Sequence, residues 1–132
     1  MALGKIKADT LEHSTAGSVD TQYVVGGSAK AWATHTQSAS YTLHDSLNIS
    51  SITDGGADGK TFYNWTSNFN NAFYSATTGV GEFAVVFRNA PALGVTSNGG
   101  KTTSLIKWES QTTGNSGVDS ADNNLTVHGD LA

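Results

Sequence analysis

Four histidines and eleven carboxylates are the side chains in this 132-residue sequence best suited to acid–base or metal chemistry. Cysteine is absent, which removes thiol nucleophiles, disulfides and cysteine-based zinc sites together. His13, His35, His44 and His128 lie far apart, and none shows the H-x-x-x-H spacing that puts two imidazoles on one helix face. His44 and Asp45 are adjacent, but neighbouring strand residues point to opposite faces. We expect histidines at a surface or interface rather than around a metal. The run DGGADG, residues 54–59, opens like a calcium loop with Asp54 and Asp58. Such a loop needs a bidentate glutamate at its twelfth position, where this chain has Trp65. A hairpin turn accounts for the glycines without a metal. Glu82, Glu109, Asp119 and Asp122 fall at expected strand ends and loops, with no pattern that pairs two carboxylates about a sugar. A G-x-S-x-G elbow and a phosphate-cradling glycine loop are also missing. The expectation is a non-enzymatic protein with no catalytic residue, cofactor or metal.

The aromatic residues carry more. Trp32, Trp65 and Trp108, with Tyr23, Tyr41, Tyr63 and Tyr74, sit in or beside polar segments. Exposed rings stack on sugars and anchor protein interfaces. The competing reading is that they fill a core short of leucine and isoleucine.

What must position these side chains is a β-structure. Charged residues make up 14% of the chain, against an ordinary ~25%, and serine, threonine and asparagine fill the gap at about a third of all residues. Those side chains compete for backbone hydrogen bonds and disfavour helix. Strand candidates alternate with turn signals: KAWATH, SYTLHDSLNISSITD with an irregular step before Ile52, KTFYNWTSNF, GEFAVVFRN with Phe83, Val85 and Phe87 on one face, TTSLIKWES and NNLTVHGD. SNFNNAFYSA is the one place where a turn of helix is expected. The fold class read from this pattern is all-β, an antiparallel β-sandwich or jelly roll spanning residues 28–132. Residues 1–27 offer only scattered apolar side chains and end at Gly26-Gly27. They read as an extended N-terminal docking or assembly arm, or else as a first strand of the same domain. Net charge of −4 argues against nucleic acid, and the sequence contains neither a signal-peptide h-region nor a membrane-length apolar run.

GGSAKAWATH, followed by HDSLNISSITDGGADGKTFYNWTSNFNNAFYSA, resembles a repeated pattern in structural and tail-fibre proteins of tailed bacteriophages. The matching stretches are Gly27 to Trp32, Asp45 to Asp54, Gly55 to Gly59, Phe62 to Trp65 and Phe69 to Tyr74. The opening KIKADTLEHSTAG and the ending VHGDLA are similar as well, whereas residues 80–122 match only in strand character. The resemblance implies a β-rich virion module assembled in the host bacterial cytoplasm and trimeric. It carries no catalytic signature. Family members often end much longer chains, so 132 residues point to a short homotrimeric fibre or a capsid decoration protein. Its partners would be further copies of itself and other capsid, tail or fibre-base proteins. The expected assembly residues are Leu3, Ile6, Leu11, Tyr23, Val25 and Trp32, with Trp32 anchoring the arm. A second reading is a carbohydrate-binding module that recognises host surface glycan, through loop residues Asp54, Asp58, Lys60, Asn98, Lys101 and Asn115.

Overall fold

In KAWATHTQ the inward phase of a strand falls on Ala31, Ala33 and His35, and the outward phase on Trp32, Thr34 and Thr36. This alternation is the pattern of a strand with one face in a core. The computed structural model describes residues 7–38, 40–56, 59–80, 86–89, 100–111 and 116–132. Two strands, β1 (Thr10–His13) and β2 (Gly17–Asp20), precede the helix α1 (Thr21–Gly27). The body follows with β3 (Ala31–Thr36), β4 (Thr42–Leu47), β5 (Ile49–Asp54), β6 (Lys60–Trp65), β7 (Ser75–Val80), β8 (Val86–Asn89), β9 (Leu105–Gln111) and β10 (Asn123–His128). The described strands are all antiparallel: a hairpin β1-β2, one sheet in the order β4-β3-β10-β7, and another in the order β5-β6-β9-β8. The described residues are all-β apart from one short helix.

One hydrophobic cluster draws on both four-stranded sheets. The first contributes small and aliphatic side chains, Ala31, Ala33, Leu125 and Val127, and the second Ile49, Tyr63, Trp65 and Ile106. Alanines on one side leave room for rings on the other, since an interior closes only when volumes complement each other. The alanines around Trp32 are therefore the buried residues, and the tryptophan faces outward. Phe69 and Tyr74 complete the cluster at one end, their rings 4.5 Å apart and 5.2 and 5.8 Å from Trp65. Aromatic residues do fill this core.

Asn48 is the corner where the chain leaves one sheet for the other. Its φ of 57° lies in the left-handed region, which asparagine tolerates better than most residues. Its side chain holds the corner in place: Oδ1 accepts from Ser67 N at 2.6 Å and Nδ2 donates to Ser67 O at 3.0 Å. We expect Asn48→Ala to destabilise the protein by about 2 kcal/mol and Asn48→Gly by about 1, because glycine relieves the backbone strain but not the lost bonds. Urea denaturation measures both, and equal losses would show that the strain contributes nothing.

Three expectations are corrected. SNFNNAFYSA forms no helical turn: Asn70 N donates to Asp130 O at 2.9 Å and Phe69 N to Thr103 O at 2.9 Å, so these donors serve tertiary bonds. Residues 10–27 are not one extended run, because Gly17, at φ 89°, turns the chain back into a hairpin that leads into α1. The histidines are not all at the surface, since His35 is 1% exposed. Phe83 and Val85 lie outside the described residues, and of GEFAVVFRN the stretch 86–89 is a strand.

Candidate functional site

The body has two ends of opposite character. At the first end stand the starts of β3 and β6's last residue, the corner at Asn48, the loop 66–74 and the C-terminal residues 129–132. The N-terminal module, residues 7–27, joins here through Lys30 N, which donates to Val127 O at 2.8 Å. Within it, Leu11 and Val19 are cross-strand partners and share one face of the hairpin. His13 Nδ1 accepts from Thr15 N and Ala16 N at 3.3 and 3.2 Å and sets the turn. Thr21 ties the helix start to the residues that lead into β1, N to Asp9 O at 2.8 Å and Oγ1 to Ala8 O at 2.7 Å. Lys30 Nζ reaches back to Val25 O and to Ser28 Oγ, fixing the exit from the helix. The helix has seven residues and buries none of them. Leu11, Val24 and Val25, with Lys7, Ala8, Asp9 and Thr21, line an open groove of about 520 Å³. Tyr23 is 66% exposed and Val25 63%.

Of the expected assembly residues, the structure brings Leu11, Tyr23 and Val25 into this module. It sets Trp32 apart, half-buried on the outer face of the first sheet between its partners Leu47 and Thr126. Leu3 and Ile6 lie outside the described residues.

The second end is polar and internally bonded. Gln37 is 2% exposed and sits at its centre. Its Nε2 donates to Gly59 O at 2.9 Å and to Thr61 Oγ1 at 2.8 Å. Its Oε1 accepts from Ser120 N at 3.0 Å and from Ser110 Oγ at 2.8 Å. From Thr61 the chain of contacts runs on to His35 Nε2 at 3.4 Å, and from His35 Nδ1 to the Tyr63 hydroxyl at 3.3 Å. The imidazole also meets the Tyr63 ring edge-on, 5.2 Å between centroids. Burial, reinforced by nearby His44, pushes the His35 pKa down to about 4. Gly59, at φ 77°, lies so close beneath this network that a Cβ there would stand 2.2 Å from Ser110 O.

Above the network opens a shallow cleft of about 350 Å³ lined by Gln37, Ser40, Tyr41, Asp54 and Asp119. Asp119 Oδ1 accepts from Gly59 N at 2.7 Å, and Asp54 Oδ1 from Gly56 N at 2.8 Å. The Tyr41 hydroxyl donates to Lys60 O at 2.9 Å. Burial, then Asp119 and Asp54, push the Tyr41 pKa up, so the phenol stays protonated and serves as a hydrogen-bond donor. Among the described residues no three histidines or carboxylates gather as a metal site would require. A hydroxyl and an imidazole do meet nearby, Thr36 Oγ1 and His44 Nε2 at 2.8 Å. The threonine proton is committed to Ala121 O at 2.7 Å, so the imidazole donates there, the reverse of what a general base must do. The cleft can hydrogen-bond a ligand's hydroxyls, and among its described lining residues none is an activated nucleophile.

The expected receptor loops divide between the two ends. Asp54 and Lys60 stand at the polar end, where Lys60 Nζ lies 3.9 Å from Glu109. Lys101 stands at the other, donating to Tyr74 O at 3.0 Å with its ammonium 5.5 Å from the ring centroid. Asp58, Asn98 and Asn115 lie outside the described residues. Sequence reasoning missed Gln37, Ser110 and Ser120. For Gln37 a signal was present, since it continues the inward phase of Ala31, Ala33 and His35. Comparison with protein-family models, with curated proteins and with solved structures finds no match to this chain.

Proposed function

We propose that this chain is a non-enzymatic structural protein of a bacteriophage virion, a short homotrimeric fibre or capsid decoration protein docked by residues 1–27. The observation that carries this reading is the module at 7–27, which exposes Leu11, Val19, Tyr23, Val24 and Val25 and whose helix buries nothing. A lone hairpin is marginal in water, and an isolated helix below about 12 residues is too. A module of that kind gains its stability from what it docks against. The body is read as an antiparallel β-sandwich. Its strand order keeps β3-β4, β5-β6 and β8-β9 as neighbours within one sheet, which favours a sandwich of hairpins over a jelly roll. A surface rich in serine, threonine and asparagine, with little charge, suits repeated close packing. The resemblance of GGSAKAWATH and of Asp45 to Tyr74 to phage structural proteins supports the same reading.

Removing residues 2–25 is expected to convert a trimer of 13.7-kDa chains into a folded monomer with a nearly unchanged melting temperature. Light scattering behind a sizing column measures the mass. A truncated chain that stays trimeric overturns the role of the module.

The polar cleft favours a second reading, recognition of host surface glycan. Tyr41, Ser40 and the two aspartates offer donors and acceptors of the kind that hold sugar hydroxyls. Titration with host polysaccharide, comparing the wild type with Asp54→Ala, tests it.

A further inference from the structure

Among the described residues, the large hydrophobic side chains left in water are confined to the module and the end of the body it springs from. Five belong to the module, and the remaining three are Leu47, Phe73 and Leu131. Leu47 precedes the corner at Asn48, which is bonded to Ser67. Leu131 bridges Phe69, and Phe73 follows four residues later, 79% exposed. Among the described residues, the polar end exposes none. Exposed apolar side chains of the module and of the end of the body it springs from thus lie on one chain, joined by a short connection, and remain uncovered.

The connection explains why. Lys30 N is bonded to Val127 O, Lys30 Nζ to Val25 O, and Ser28 N to Val24 O at 3.0 Å, so the helix leaves the body in a fixed direction. The chain's own module leaves Phe73 uncovered, at 79% exposed. We infer that the module of one copy seats on the end of a neighbouring copy that exposes Leu47, Phe73 and Leu131, so that each chain gives a module to one neighbour and receives one from the other. This inference rests on the assembly role of the module and adds the acceptor. A contact of this head-to-tail kind closes into a ring when the rotation permits. The size of the surfaces is consistent with closure. Aromatic side chains carry on the order of 150–250 Å² each, so Tyr23 and Phe73 together leave roughly 300 Å² in water. With the aliphatic residues added, one contact is still small against a standard interface of about 1,600 Å² in total. A ring holds every chain at two such contacts at once, and the second closes at high effective concentration.

The absence of cysteine makes the test direct. Full-length chains carrying Val25→Cys, made heavier by a tag, are mixed with untagged Phe73→Cys chains and oxidised. Sizing-column masses are taken in parallel for Tyr23→Ser and Phe73→Ser, both at exposed positions. The expected result is a mixed disulfide of intermediate mass that dominates over like-with-like pairs, with both serine variants falling to monomer. If Tyr23→Ser dissociates the oligomer while Phe73→Ser keeps the wild-type mass and no mixed disulfide forms, the acceptor is wrong and the assembly role stands. A wild-type chain that is monomeric at every concentration overturns both.

Discussion

Replacing Gln37 by leucine is expected to remove about 3–5 kcal/mol of stability, the largest loss from any single side chain at the polar end. Shape is nearly conserved, so the cost is in hydrogen bonds. The amide holds four groups: the Gly59 carbonyl, the Thr61 hydroxyl, the Ser110 hydroxyl and the Ser120 amide. Two of these keep other partners. Gly59 O still accepts from Ser110 N at 2.8 Å, and Ser110 Oγ still reaches Val118 O at 2.7 Å. Ser120 N and Thr61 Oγ1 do not fare so well. The first loses its acceptor in a residue 2% exposed, and the second loses the amide donor that met it at 2.8 Å. Each buried polar group left without a partner costs about 1–3 kcal/mol, and loss of the central bridge loosens the loop that carries Asp119. Thermal melting of Gln37→Leu should show a drop of roughly 10–20 °C, from a few degrees per kcal/mol for a domain of this size. A drop below about 3 °C would mean that the network contributes little to folding. Gln37→Glu serves as the companion: it keeps the acceptor for Ser120 N and loses the donors to Gly59 and Thr61.

Where Gln37 sits also shows what the sequence disclosed and what it hid. The strands at 31–36, 60–65, 105–111 and 123–128 follow from alternation and turn residues, and the structure has them there. The irregular step before Ile52 is real as well, since the pairing of β5 with β6 shifts register between Ile49 and Ser51, whereas the corner at Asn48 was not read. That β4 and β5 part into different sheets there is set by a single backbone angle, which alternation does not encode. Polar residues were harder. In a chain about one-third serine, threonine and asparagine, a buried Ser110 or Ser120 looks like any surface position. Only the partners, brought from positions up to 83 residues apart, distinguish them. The helix at Thr21–Gly27 was hidden for another reason. Seven residues with no buried face leave no amphipathic stripe to read.

Acid should weaken this fold through His35 before it does so through most carboxylates. The imidazole is 1% exposed and its pKa is lowered to about 4, against 6.5 in an unfolded chain. Below 6.5 the unfolded state takes up a proton that the folded state refuses, so stability falls with pH across the window from about 6.5 to 4. The contribution is fully present above that window and gone beneath it. At about 1.4 kcal/mol per pH unit the loss sums to about 3 kcal/mol. The cause is burial first and the nearby His44 second, and the two contacts of the ring, to Tyr63 and Thr61, are neutral hydroxyls that bring no opposing charge. Urea midpoints from pH 7.5 to 4 for the wild type and His35→Leu separate this term from the carboxylates that titrate alongside it. At pH 7.5 the variant is expected to be the less stable, having lost the bonds to Thr61 and Tyr63. Toward pH 4 the gap should close or reverse, because leucine takes up no proton. Parallel curves would show that His35 becomes charged in the folded protein as readily as in the unfolded one, and that the proton finds water or an acceptor within the network.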